Sequence, residues 1–176
     1  LPLHHALPVC RSAPHPFQFA ARLHYPSHIS LESALAWHHL IPEAVYQVSS
    51  VTNSRSRSFA TPLGYFSFQR VPAGAPRAGV QAVEITSNSW AFIATPLRAI
   101  ADMLYLNRTI AWQKHGLSYL TESLRIDEEE LQLISFNDLD DLLGSLRPKR
   151  VRANRIGMKG ATQHDAYHLD SSAGYT

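Results

Sequence analysis

Cysteine occurs once in this 176-residue chain, at Cys10, which excludes an intramolecular disulfide and suits a reducing, cytoplasmic compartment. Long apolar runs are missing: none approaches the roughly 20 residues that a membrane-spanning helix needs, so no membrane association is expected. The opening LPLHHALPVCRSAPHPF has no basic n-region and no uninterrupted apolar core, and so does not read as a secretory signal. It begins on leucine, and the chain is taken as a fragment or a processed product. Net charge is low as well, +2 at pH 7, too little by itself to argue for nucleic acid.

Signatures of catalysis are scarce. There is no G-x-S-x-G, no Walker A loop and no G-x-G-x-x-G. A restriction-type nuclease needs an acid and an E-x-K on adjacent strands to hold Mg²⁺, but Glu84 is followed by Ile85 and Thr86. Asp138, Asp140 and Asp141 imitate a D-x-D, yet a nucleotidyltransferase places Gly-Ser upstream of such a pair, and Gly144-Ser145 comes after. Asp102 lies on a predicted helix and is explained by a structural hydrogen bond. Ten histidines invite a metal, and His24/His28 and His164/His168 have the i, i+4 spacing of one helical face. Neither pair has a cysteine or the glutamate of H-E-x-x-H beside it to complete a zinc set. No enzymatic activity, metal or cofactor is therefore expected, and His38 and His39 read as packing or polar-contact residues.

What is present is enough apolar content, 45%, for one ordinary domain with tails. Residues 1–22 carry Pro2, Pro8, Pro14 and Pro16, a spacing that predicts an arm or linker. Ser30 can cap a helix with Leu31, Ala34, Leu35 and His38 on one face, ended by Pro42. Residues 44–52 are extended. Thr61-Pro62-Leu63-Gly64 is a turn that predicts a hairpin of Arg57–Thr61 with Tyr65–Val71. After a turn region at Pro72–Gly79, strands follow at Val80–Thr86 and Trp90–Ala94, with Ser87-Asn88-Ser89 between them. Thr95-Pro96 opens a helix whose Leu97, Ile100, Ala101, Leu104 and Tyr105 form an apolar stripe. Gly116 marks a break, Leu117, Leu120 and Leu124 begin another stripe, and Asp127 with Glu130 has capping-box spacing before Leu131. Asn137 can cap a last helix with Leu139, Leu142, Leu143 and Leu146 on one face. Strands followed by helices predict an α+β fold, an antiparallel β-meander packed against helices and followed by a C-terminal helical portion.

The segments Ile29–Leu35 (ISLESAL), Leu40–Glu43, Val51–Arg57 and Thr61–Phe66 resemble the C-terminal domain of the AbiEi family, and Ile93–Asp102 (IATPLRAIAD) is similar to a second motif of that family. These are antitoxins of type IV toxin-antitoxin, or abortive-infection, systems of phage defence. The resemblance covers about residues 25–146. It implies a cytoplasmic, non-enzymatic antitoxin that counters a cognate nucleotidyltransferase-like toxin without a stable complex. In a full-length member an N-terminal winged helix-turn-helix binds operator DNA and represses the operon; none is found in this sequence.

The domain organisation that follows is a proline-rich arm at 1–22, an AbiEi-like domain at 23–146 and a basic, extended tail at 147–176. Charge supports the last boundary. Eight of the fourteen acidic residues lie between Glu122 and Asp141, whereas Arg147, Lys149, Arg150, Arg152, Arg155 and Lys159 follow with no acid among them. Arg55, Arg57 and Arg70, together with Lys149, Arg150, Arg152 and Arg155, are the candidate nucleic-acid or partner contacts, through a salt-dependent attraction to phosphate. The competing functions are a DNA-binding transcriptional regulator without toxin neutralisation and a degenerate nuclease-like domain.

Overall fold

The computed structural model describes residues 14–42, 46–107, 109–134 and 142. The fold is α+β, a six-stranded mixed sheet in the order β3-β4-β2-β1-β6-β5 with helices packed on it. The strands are β1 (Ser27–Ile29), β2 (Gln47–Thr52), β3 (Arg57–Thr61), β4 (Gly64–Arg70), β5 (Val80–Thr86) and β6 (Ser89–Ala94). The helices are α1 (Pro16–Leu23), α2 (Leu31–Trp37), α3 (Pro96–Leu106), α4 (Trp112–Ser118) and α5 (Glu128–Leu133), with a π-helical turn at Tyr119–Ser123.

Both predicted hairpins form. β3 and β4 pair antiparallel across Pro62-Leu63, where Gly64 takes φ +123°, and β5 and β6 pair across Ser87-Asn88. The meander does not form, because β4 turns past β3 to lie parallel to β2, from Gln47 beside Tyr65 to Thr52 beside Arg70. The sheet also holds β1, a three-residue strand that the sequence pattern does not reveal. It pairs antiparallel with β2 and parallel with β6, and so occupies the centre of the sheet.

Because β1 is so short, the edge of β2 at Gln47–Ser49 that faces away from β4 lies past the paired residues of β1, and buried backbone polar groups there must find a partner. Helix α2 fills the notch. The Ser33 hydroxyl accepts from the Ser49 N–H at 2.8 Å and donates to the Gln47 carbonyl at 3.2 Å, while His38 Nε2 lies 2.9 Å from the Ala94 carbonyl of β6. The helix ends five residues before Pro42, which was expected to stop it. His39 at φ +60° closes it instead, with Leu40 N–H donating to Leu35 O and His39 N–H to Ala36 O, a Schellman closure.

Helix α1 lies where the prolines predicted an arm. Pro16 is its first residue, a position where the missing N–H costs nothing. Register places Phe66 and Phe68 on one face of the sheet with Ile29 and Ile93, and α1 covers it: Phe19 meets Phe66 and His24 meets Phe68 edge-on. Helix α3 starts as predicted, Thr95 Oγ1 accepting from the Arg98 N–H, and buries Leu97, Ile100 and Leu104. Each of those side chains contributes about 1.5–3 kcal/mol by leaving water. Gly116, expected as a break, is buried inside α4, where packing outweighs its low helix propensity. Leu120, Ile126 and Leu131 anchor this region, but Asp127 makes no side-chain cap. Leu142 is buried; the remainder of the last predicted helix, the start of the arm and the basic tail lie outside the described residues.

No described helix is long and apolar enough to cross a membrane. Helix α1 carries a pH-sensitive cap, since His15 Nδ1 accepts from the Phe17 N–H at 3.2 Å and burial holds the imidazole pKa below its ordinary value. A protonated ring cannot accept that bond. The cap is intact above the unfolded-state histidine pKa and is lost as pH falls through the lower, folded one. An amide titration should therefore show Phe17 N–H shifting with a midpoint below that of a free histidine, and His15→Ala should abolish the transition.

Candidate functional site

Two features stand out: a buried polar network joining α3 to β1 and α2, and a cluster of exposed arginines. The network begins with Arg98 in the first turn of α3. That side chain is only 1% exposed; its Nε donates to Asp102 Oδ1 at 2.9 Å and its Nη1 to the Ala78 carbonyl at 2.6 Å. Asp102 is wholly buried, and its Oδ2 accepts from the Ser30 hydroxyl at 2.8 Å. His28 Nε2 stands 3.5 Å from the same oxygen without forming a hydrogen bond, and is buried with no partner among the described residues.

Local backbone explains why Ser30 reaches Asp102. Leu31, the first residue of α2, has φ +56°, a left-handed conformation that leaves Ser30 without the side-chain cap its sequence predicts. Such strain costs about 1–3 kcal/mol and persists only where the surroundings impose it. Here the hydroxyl is directed across to α3 instead of over its own helix. Gly79 performs a similar service on the other side. It has φ +66°, its carbonyl accepts from the Thr95 N–H at 2.8 Å, and a Cβ there would lie 2.9 Å from Arg98 Cβ and 2.7 Å from Leu142 Cδ1.

Arg98 and His28 also line a cavity of about 430 Å³ between β1, β6, the strand ends at Val51 and Val71, and the 75–80 loop. Register puts His28, Val51 and Phe92 on the face of the sheet opposite α1. At the rim Arg77 lies over the Phe92 ring, 5.5 Å from its centroid. Farther along this face, Trp90 is 57% exposed.

The arrangement is not that of a nucleophilic triad. The Ser30 hydroxyl donates to the carboxylate, not to the imidazole, and has no exposed surface. The two histidines expected to share a helical face are separated: His24 ends α1 and packs on Phe68, whereas His28 belongs to β1 and meets Asp102 on the other side of the sheet. Among the described residues no group of three or more His, Cys, Asp or Glu side chains is placed to hold a metal ion. Glu84 lies on β5 as predicted, but its carboxylate accepts from the Asn88 N–H at 3.0 Å and holds the hairpin turn.

Arg55, Arg57 and Arg70 come together at one end of β3 and β4. The Arg70 N–H donates to Ser56 Oγ at 2.9 Å, and Arg57 pairs with Phe68, so that Arg57 and Arg70 share a face. All three are exposed, and none forms an ion pair with a described residue. That face is the one α1 covers, and Arg70 adjoins the cavity wall through its register partner Thr52 and its neighbour Val71. Lys149, Arg150, Arg152 and Arg155 lie outside the described residues. Arg98, His28 and Arg77 escaped the sequence reading, although one signal was there: a cation in the first turn, where the helix dipole disfavours it, four residues before an aspartate.

Breaking a buried ion pair leaves the surviving charge uncompensated, so Asp102→Asn should lower stability by about 3–5 kcal/mol. Ser30→Ala removes one hydrogen bond to a charged group and should cost about 1.5–3 kcal/mol. Gly79→Ala should cost about 1–3 kcal/mol through its left-handed backbone alone. Urea denaturation should show a loss in all three variants, with Asp102→Asn more severe than Ser30→Ala. No family model matches this chain, and no curated protein does.

Proposed function

We propose that this chain is the antitoxin portion of a type IV, AbiEi-like system, a cytoplasmic protein that acts by contact and not by turnover. It opposes a nucleotidyltransferase-like toxin without forming a stable complex. In the full-length protein an N-terminal winged helix would add operator binding and repression.

One observation carries this reading. Two of the segments on which the resemblance rests, ISLESAL and IATPLRAIAD, meet through the hydrogen bond between Ser30 and Asp102, 72 residues apart in sequence. Their polar residues have separate structural tasks, since Ser33 completes the ladder of β2 and Thr95 caps α3. A motif whose serines, threonine and aspartate hold the scaffold together is consistent with a binding protein. Co-expression with the toxin encoded beside it should restore growth, and Asp102→Asn should weaken that rescue along with the fold. Persistent growth arrest beside a folded wild-type chain would count against neutralisation.

A second reading, DNA binding without neutralisation, is favoured by the arginine cluster, whose three charges have no ion-pair partner among the described residues. Phosphate contacts release counterions, each contributing about −0.9 to the slope of log affinity against log salt on duplex DNA. If the cluster binds duplex, Arg55→Gln, Arg57→Gln and Arg70→Gln together should flatten that slope by up to about 3. An unchanged slope in a gel-shift series would remove the cluster from the interface.

A further inference from the structure

We infer that the cavity beside Arg98 is a binding site for a small molecule that carries a carboxylate or phosphate group on a flat, apolar body. This goes beyond the antitoxin reading and does not depend on it. A guanidinium has five N–H donors. Arg98 gives two of them to Asp102 and Ala78, and the other three have no hydrogen-bond partner among the described residues on a side chain that lines the cavity. Donors that face a cavity are open to the acceptors of a ligand.

The other polar side chains of the wall show what kind of partner fits. The Thr52 hydroxyl donates to the Pro26 carbonyl, the Ser27 hydroxyl donates to the His24 carbonyl, and Asn53 Oδ1 accepts from the Ala73 N–H. The two hydroxyls have thus spent their donors and keep lone pairs, one of which on Thr52 takes the Ser54 N–H, while Arg98, Arg77 and the Asn53 amide nitrogen are the donors of the wall. His28 Nε2 is a further ring nitrogen without a partner. Among the described residues no acidic side chain lines the cavity, since Asp102 stands behind Arg98 and His28. Donors and two cations with no facing carboxylate select an oxyanion, and guanidinium suits the geometry of carboxylate and phosphate.

The rest of the wall is apolar: Val51, Val71, Val80 and the Phe92 ring are among its members. A volume near 430 Å³ falls within the usual range for small-ligand sites, and such sites are mostly apolar with a few converging polar groups. Arg77 over the Phe92 ring supplies a charged, stackable rim. The same residues explain why Arg98 is tolerated at the positive end of a helix dipole, since an anion in the cavity would complete the compensation that Asp102 begins.

The test uses the full chain, titrated separately with benzoate, phenyl phosphate and benzamidine, a cation of the same shape, and followed by amide NMR. Saturable shifts at Arg77, Ala78 and Phe92 are expected with benzoate or phenyl phosphate, and whichever binds tighter identifies the head group. Arg77→Gln and Phe92→Ala alter exposed rim residues, should leave the spectrum dispersed, and should each weaken binding threefold or more. Arg98→Lys keeps the charge but loses the planar fork; where it stays folded, binding should fall at least tenfold. No saturable shift with either anion, equal binding of benzamidine, or unchanged affinity in the Arg77→Gln, Phe92→Ala double variant would overturn the assignment.

Discussion

The buried Arg98–Asp102 pair is the constraint on which the other contacts turn. Two charges removed from water gain stability only if their remaining hydrogen-bonding capacity is filled. Asp102 fills its share with Ser30, and Arg98 fills part of its own with the Ala78 carbonyl, so the pair ties the first turn of α3 to the entry of α2 and to the loop before β5. These elements are far apart in sequence. Hydrophobic burial of Leu97, Ile100 and Leu104 would press α3 onto the sheet, but a nondirectional force does not fix its rotation or its position along the helix axis. The polar network does.

The same economy is visible in the sheet. A three-residue strand at its centre would leave β2 with unpaired backbone groups, and α2 supplies the missing partners through a side chain, Ser33. The closure at His39 then lets the chain leave without a proline, and His38 reaches across to β6. Helix α2 therefore behaves as an in-plane plug between β2 and β6 more than as a covering layer, with α1 on one face and α3 on the other. The cavity lies on the α3 face because α3 covers only part of it: Phe92 and Trp90 remain substantially exposed there.

The two candidate surfaces differ in kind. The arginine cluster at the end of β3 and β4 is an exposed, screened charge whose contribution depends on salt. Arg98 is the opposite case, a desolvated cation whose interactions are strong and directional. One suits a macromolecular contact; the other suits recognition of a single group.

Local chemistry alone determined the pieces whose signals are short-range. Pro62 through Gly64 specified one hairpin, Ser87-Asn88 the other, and Thr95-Pro96 the start of α3, because turn and cap geometry depend on a few neighbouring residues. The gathering of Arg55, Arg57 and Arg70 followed from that first hairpin. Tertiary structure decided what depends on partners remote in sequence. Ser30 had the identity of a cap but was drawn to Asp102, and Pro14 and Pro16 looked like breakers although Pro16 begins a helix that the aromatic face of the sheet holds in place. β1 was too short to carry a pattern, yet it joins β2 to β6 at the centre of the sheet and, with α3, borders the cavity. Turn and cap preferences are properties of adjacent dihedrals, whereas the pairing of a three-residue strand and the burial of a charge are settled only by which groups the rest of the chain brings to meet them.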